Sequence, residues 1–249
     1  MKTYVVNMKR DTEKRSRMEQ QLKNFSLDVT FFEAIDGSQL SSDELKQWVN
    51  IEESKKRYGD YFTLPAIGCS LSHYRLYQTI SSQNDDIVMI LEDDAILAPG
   101  LESIIEEIAK NIDKNVPVAV LLTPGFAYYK KNKALFVEDS SVYNLSGGLM
   151  TSGYLINRSA TQLLEKHLYP IRYVADQWNV FVSLGLKLFG VVPHIVSFPQ
   201  GYGEIGSSIL NAIQQKKNNR LRSFLGRRKA NLLSFLYRLC GRAESKRIW

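Results

Sequence analysis

Three consecutive acidic residues, Glu92, Asp93 and Asp94, directly follow the apolar run 87–91. That run has the composition of a buried strand. Three like charges at a strand end repel one another and resist desolvation, so a positive group should compensate them. Carboxylates bind divalent cations, and ligands of α/β sheets bind at the carboxyl ends of strands. Spacing alone leaves open two interpretations: a cation site beside a phosphate, or a solvated acidic turn that caps the next helix.

Strand and helix patterns alternate around this acidic cluster. Strands are predicted at 4–6, 29–32, 87–91, 118–122, 153–156, 191–192 and 194–198, and helices at 13–24, from 42, from 70, and at 101–112, 159–167 and 176–184. Residues 64–68 are predicted to be a loop, and 136–143 a local hairpin. This alternation predicts an α/β domain with a mainly parallel central sheet and helices on both faces.

The composition is that of a globular protein with a sizeable core, at 44% hydrophobic and 11% aromatic residues. Its apolar runs are too short to span a bilayer. The N-terminus lacks the apolar core and small-residue cleavage site of a secretory signal, so we expect a cytoplasmic protein. Cys69 and Cys240 are far apart in sequence, and their spacing predicts neither a disulfide framework nor a zinc knuckle.

The net charge of +6 is concentrated near the C-terminus. Residues 216–249 contain eleven Lys or Arg and one acid, Glu244, whereas residues 1–215 are mildly acidic. Leucine and phenylalanine recur at helical spacing between these cations, which predicts an amphipathic tail on an anionic membrane surface. A helix packed on the domain would explain the leucines but not the charge. Nucleic acid is a less favoured partner for this tail, because residues 1–215 are acidic and contain no nucleic-acid-binding motif.

Five short motifs occur in an order that resembles glycosyltransferase family 25, the lipooligosaccharide-biosynthesis glycosyltransferases. They are 4–10 (YVVNMKR) with Arg15 following, 34–37 (AIDG), 68–73 (GCSLSH), 91–94 (LEDD) and 151–156 (TSGYLI). The resemblance implies a GT-A-like nucleotide-sugar-binding domain, residues 1–215, that inverts the sugar carbon. It also implies manganese (or magnesium) and a UDP-hexose donor, most often UDP-galactose.

The resemblance assigns roles to individual residues. A nucleoside diphosphate leaves a sugar poorly until its charge is neutralised, and a divalent ion held by Asp94 would supply this. Glu92 is the candidate for a sugar or ribose hydroxyl. The predicted donor- and substrate-binding residues are Asn7, Arg10, Asp36, Gly37, Ser72, His73, Glu92, Asp93, Gly153, Tyr154, Gln177 and Trp178.

An inverting transfer also needs a base that removes the proton of the acceptor hydroxyl. Asp176 is the candidate, because the family carries an acid here, and Trp178 is a candidate to stack on an acceptor sugar. The alternatives are that Asp176 caps a helix and Trp178 belongs to the core. His194 is either an additional metal ligand or a packing histidine. Ser70 and Ser72 could cap the helix that carries His73 and hold an anion at its N-terminus.

Residues 201–206 (GYGEIG) match the dinucleotide motif G-x-G-x-x-G. No second strand ending in an acid follows about twenty residues later, and no further βαβ units remain. We therefore expect a loop that closes over the donor. A nucleotide-sugar enzyme that uses NAD through this loop is the weaker hypothesis.

The sequence thus predicts a metal-dependent, inverting hexosyltransferase on the inner face of a bacterial inner membrane. Its acceptor would be a lipid-linked saccharide of lipooligosaccharide or lipopolysaccharide. The alternative is a membrane-docked saccharide-binding protein of the same fold that has lost catalysis.

Removal of residues 217–249 should release the protein from anionic liposomes, because each basic residue near such a surface contributes about 1 kcal/mol. Cosedimentation with vesicles measures this, and activity on a soluble acceptor should change little. Unchanged liposome binding by the shortened chain would refute the membrane role of the tail.

Overall fold

The computed structural model describes residues 1–59, 62–137 and 139–199. The glycine motif at 201–206 and the basic segment 216–249 lie outside these residues, as does the predicted boundary near residue 215.

Eight strands of the described residues form one sheet. They are β1 (Lys2–Asn7), β2 (Asp28–Glu33), β3 (Ile87–Glu92), β5 (Val118–Leu121), β6 (Lys133–Val137), β7 (Ser140–Leu145), β8 (Gly153–Asn157) and β9 (Lys187–Val192). Their order is β2-β1-β3-β8-β5-β9-β7-β6. The short strands β4 (Ile96–Leu97) and β10 (Val196–Ser197) form a separate antiparallel pair.

Seven helices connect the described strands: α1 (Thr12–Leu22), α2 (Ser42–Trp48), α3 (Ile51–Tyr58), α4 (Leu64–Ser81), α5 (Leu101–Asn111), α6 (Arg158–Leu168) and α7 (Trp178–Ser183). In this part of the chain, no helix has both the length and the apolarity needed to cross a bilayer. The α/β prediction is confirmed.

The sheet is mixed, which corrects the prediction of a mainly parallel one. Strands β1, β2 and β3 are parallel, and β5 is parallel to β9. Strand β8 is antiparallel to both β3 and β5, and β7 is antiparallel to both β6 and β9. Hydrophobic patterns predict that a segment is a strand but not its direction. The hairpin β6–β7 lies at the opposite end of the strand order from β2.

Strand β3 is central to the fold and apolar on both faces. Val88 and Ile90 contribute to one core cluster with residues of α4, α6 and α7. Met89 and Leu91 contribute to a second cluster with residues of α1 and α5. The two clusters explain why this strand is an uninterrupted apolar run rather than an alternating one. They also fix its polar end at one edge of the sheet.

Helix α4 begins at Leu64, so the predicted loop at 64–68 is wrong. Thr63 is the N-cap, and its hydroxyl accepts a hydrogen bond from the amide of Ala66 at 3.4 Å. Proline in the first turn costs no hydrogen bond, because that amide has no helical partner. A threonine followed by a first-turn proline therefore signals a helix start here.

Ser70 and Ser72 lie inside α4 and do not cap it, contrary to the sequence-based alternative. The Ser70 hydroxyl donates to the carbonyl of Ala66 at 2.8 Å, and that of Ser72 to the carbonyl of Gly68 at 2.7 Å. Ser72 Oγ also accepts from the amide of Ile35 at 2.8 Å. Its role is to tie the 34–37 turn to α4.

Two motif glycines allow this turn to touch α4 directly. A Cβ at Gly37 would lie 1.8 Å from the carbonyl oxygen of Leu64, and one at Gly68 would lie 2.6 Å from both Gly37 N and Ile35 O. The close approach of two backbones therefore requires glycine at both positions.

Gly68→Ala should destabilise the fold, although alanine favours a helix by about 1 kcal/mol over glycine. The added methyl meets backbone atoms that cannot rotate away, and such overpacking costs about 1–3 kcal/mol. We expect a net loss of up to about 2 kcal/mol by urea denaturation. Gln78→Ala, on the exposed face of the same helix, is the control and should be near neutral. Equal stabilities for the two variants would contradict the close contact.

Candidate functional site

Polar side chains of three chain segments meet at the carboxyl edge of β1, β2 and β3. These parallel strands end at the same edge, and β8 begins there because Leu91 pairs with Gly153. The amide of Glu92 donates to the carbonyl of Ser152 at 3.1 Å. Residues 92–94 therefore lie beside the segment 150–152, as well as beside the residues that follow β1.

Asp93 is neutralised by protein groups. Asn7 Nδ2 donates to its Oδ2 at 2.8 Å, and Lys14 Nζ donates to its Oδ1 at 3.1 Å. Its side chain is 9% exposed, and this burial raises the pKa of Asp93 despite both partners. Burial alone would lower the pKa of Lys14, but the charge of Asp93 and its hydrogen bond, together with the charges of Asp94 and Asp11, raise that pKa overall. Asp93 thus links the end of β3 to β1 and α1.

Sequence reasoning did not identify Lys14. Lys14 could have been identified from its position, because α1 starts just after the carboxyl end of β1 and therefore lies near the predicted site. Arg15, the cation that follows the first motif, forms an ion pair with Glu19 at 2.8 Å and lies over the Phe31 ring. Arg15 therefore has a local role in α1 and β2.

Asp94 has chemistry that fits a divalent ion. Its side chain is 17% exposed, and its Oδ2 lies 4.0 Å from Lys14 Nζ. A single carboxylate beside a diphosphate suits Mg²⁺ or Mn²⁺, since such ions complete their shells with phosphate oxygens and water. His194 packs edge-on against Phe126 at 5.2 Å, and burial lowers its pKa. This contact agrees with the alternative in which His194 is a packing residue and not a metal ligand.

Arg10 and Asp36, both predicted donor contacts, are brought together as an ion pair. The Asp36 carboxylate also accepts from Ser38, from its amide at 3.0 Å and its hydroxyl at 2.6 Å. Hydrogen bonds from Ser38 and the charge of Arg10 lower the pKa of Asp36. The carboxylate is thus ionised and oriented at the end of β2. Gly37 is buried against α4, and its assignment as a donor contact stays a prediction.

A buried hydrogen-bonded chain lies beneath Glu92. His73 is 1% exposed, and its Nδ1 lies 2.8 Å from Tyr154 Oη. Tyr154 Oη lies 3.0 Å from Tyr77 Oη. His73 Nε2 has no hydrogen-bond partner and lies 3.9 Å from Glu92 Oε1.

Glu92 is ionised in this environment. Burial alone would raise its pKa, but His73 and the hydroxyl of Thr151, which donates to Oε1, lower it overall. Thr151 is a second site residue that sequence reasoning did not single out, although it opens one of the motifs.

Five further predicted donor contacts are buried and lie beneath the edge. They are Ser72, His73, Gly153, Tyr154 and Trp178. A motif resemblance identifies residues near a site but not which way each side chain points. These residues lie beneath the acidic cluster, and their assignment as donor or substrate contacts stays a prediction.

Trp178 belongs to the core, which was the alternative to stacking on an acceptor sugar. Its indole is 0% exposed, and Nε1 donates to the carbonyl of Met150 at 2.9 Å. The ring packs edge-on against Tyr154 and Phe181. Gln177 remains partly exposed and accepts a hydrogen bond from Tyr58 Oη at 2.7 Å.

Asp176 lies just before α7, whose N-cap is Gln177, so Asp176 is not the helix cap. Its Oδ2 accepts from the amide of Met150 at 3.1 Å. Met150 has a φ of 70°, which is unusual for a residue with a side chain. Burial first, and then the charge of Glu92, raise the pKa of Asp176. This carboxylate is therefore a better proton acceptor than an exposed one.

The fold and the edge define an α/β protein with an acidic polar site at its strand ends. Residues 1–178 match the family described as glycosyltransferase family 25 (LPS biosynthesis protein). The chain belongs to this family, as its motifs predict.

Two curated relatives illustrate the match. A glycosyltransferase 25 family member of Aedes aegypti is 29% identical over 71% of this chain and 30% of its own length. Procollagen galactosyltransferase 2 of Mus musculus is 29% identical over 80% of this chain and 35% of its own length. The chain thus spans about a third of the length of these relatives.

A solved structure is also similar, that of the galactosyltransferase LgtC with donor and acceptor sugar analogues. It is 10% identical, with a TM-score of 0.38 over 91% of this chain and 99% of the LgtC chain.

Asp176→Asn should stabilise the fold at pH 7. A raised folded-state pKa means that the ionised carboxylate costs stability above that pKa, and the cost disappears once the pH falls below the unfolded value of about 3.9. Asparagine can still accept from Met150. Urea unfolding should show a gain at pH 7 that shrinks toward pH 3.5. Asp85→Asn, at the opposite end of β3, should show no such gain, and a destabilised Asp176→Asn protein would contradict the account.

Proposed function

We propose that this protein is a divalent-metal-dependent, inverting glycosyltransferase with a GT-A-like domain. It would transfer a hexose, galactose in the first instance, from a UDP-sugar to a saccharide acceptor. The observation that carries the proposal is one sheet edge with two differently prepared carboxyl groups. Asp94, whose Oδ2 lies 4.0 Å from Lys14 Nζ, is the proposed cation ligand, and Asp176 is a carboxylate whose pKa burial raises. Family membership and the galactosyltransferase relatives support it.

The donor would lie across the ends of β1, β2 and β3. The Arg10–Asp36 pair offers a cation for phosphate and a carboxylate for uridine or ribose hydroxyls. Lys14 adds a second positive charge beside the acids. Glu92 is the proposed acceptor of a hydrogen bond from a sugar hydroxyl.

In the proposed step, the acceptor oxygen attacks the anomeric carbon as its proton passes to Asp176. A bond forms between acceptor oxygen and carbon, while the bond from that carbon to the diphosphate oxygen breaks. A divalent ion, when bound, would supply Lewis-acid stabilisation of the leaving diphosphate. Arg10 and Lys14 would contribute positive charge from the protein.

The acceptor and the location are also proposals. The family description names lipopolysaccharide biosynthesis, which supports a lipid-linked saccharide acceptor. The basic, leucine-rich composition of 216–249 supports docking of the cytoplasmic protein on the inner face of a bacterial membrane.

Asp94→Asn should reduce UDP release from UDP-galactose with Mn²⁺ by about 10²–10³-fold, because charge stabilisation at the leaving group is lost. Asp176→Asn should reduce transfer to acceptor by about 10²–10⁴-fold, the usual contribution of a general base. UDP release and product formation are measured with and without EDTA.

Asp85→Asn is the matched control, since it changes the same residue type at the other end of β3. It should retain wild-type activity. Full activity of Asp94→Asn in the presence of EDTA would overturn the metal role. Absence of UDP release from the wild type across a panel of UDP- and GDP-sugars would favour the saccharide-binding alternative.

A further inference from the structure

Cys69, His73 and Glu92 converge beneath the edge of the site. Their sulfur, nitrogen and oxygen atoms all lie within 4.8 Å of one another. Cys69 and His73 are four residues apart in α4, so they lie on one face of that helix. Glu92 approaches from the end of β3.

The imidazole of His73 is aimed into this cluster. Its Nε2 is buried and has no hydrogen-bond partner, while Nδ1 is held by Tyr154 Oη. If Nδ1–H donates to Tyr154, and Tyr154 in turn donates to Tyr77, then Nε2 presents a lone pair toward the Glu92 carboxylate. In that tautomer two electron-rich atoms face each other at 3.9 Å, and either a proton on Nε2 or a metal ion between the two atoms would relieve their repulsion. A metal-bound histidine commonly has its other nitrogen fixed in this way.

We propose that Cys69, His73 and Glu92 form a zinc-binding site distinct from the cation position at Asp94. Tetrahedral zinc places its sulfur, nitrogen and oxygen ligands about 3.3–3.8 Å apart, so the distances between the three ligand atoms need to contract by about 1.5 Å at most. Sulfur and imidazole select zinc over Mn²⁺, which prefers oxygen. Three protein ligands leave the fourth position to water. Binding takes the thiolate, so the thiol proton is released to solvent.

A zinc ion here would draw Glu92 toward α4. The carboxylate would then be unavailable to a sugar hydroxyl, so zinc would inhibit the enzyme. This consequence rests on the proposed function, whereas zinc binding itself does not.

Cobalt substitution tests the site on the full chain. The metal-free protein titrated with Co²⁺ should develop a thiolate-to-cobalt charge-transfer absorption that saturates at one equivalent and is displaced by Zn²⁺ but not by Mn²⁺. Cys69→Ser should abolish it. Cys240→Ser changes the one other cysteine of the sequence and should retain it. No absorption in the wild type, or absorption that persists in Cys69→Ser, overturns the proposal.

Alkylation tests the same site should Cys69→Ser fail to fold. One equivalent of Zn²⁺ should protect Cys69 of the wild type from iodoacetamide but leave Cys240 reactive, as read by peptide mass spectrometry. Equal labelling of Cys69 with and without zinc overturns the proposal.

Activity gives the last comparison. Zinc should inhibit the wild type and Cys240→Ser at least tenfold more strongly than Cys69→Ser. Zinc binding in the spectra without any transferase activity would refute the proposed function and leave the zinc site standing.

Discussion

Three carboxylates at the end of a buried strand must each be compensated, and this requirement organises the edge of the sheet. Asp93 accepts hydrogen bonds from Asn7 and Lys14. Glu92 accepts one from Thr151, and His73 lies close to it. The compensating groups come from β1, α1, α4 and the segment before β8. Because each group is supplied by a different element, the acidic end of β3 serves as the point where these elements are joined.

The same requirement separates structural from chemical roles among neighbouring residues. Of three adjacent acids, Asp93 is neutralised by the protein, whereas Asp94 lies at the greater distance from the shared lysine. Asp176, from a distant part of the chain, is held by one backbone amide in a site that disfavours its charge. Under the proposed function, two similar side chains in different environments would serve opposite tasks, one binding a cation and the other a proton.

Much of the fold could be predicted from hydrophobic patterns, since most of the predicted strands and helices occur within a few residues of their positions. Strand direction could not, because β8 lies between β3 and β5 through contacts that no local pattern encodes. The loop at 64–68 was misjudged because Pro65 and Gly68 also suit a helix start and a close backbone contact. For the candidate site, the motifs pointed to residues that the structure brings together at the carboxyl ends of β1, β2 and β3. They could not separate residues on that edge, such as Asp36, from residues beneath it, such as His73 and Tyr154.

The place of β8 in the sheet has a consequence for the nascent chain. Strand β3 is complete by residue 92, yet its neighbour β8 is made about sixty residues later. Until then, β3 is an open edge of apolar residues with unpaired backbone groups, which is the kind of surface on which chains aggregate. Synthesis of this protein therefore passes through a stage that favours chaperone binding, and fragments that end before residue 153 should be poorly soluble.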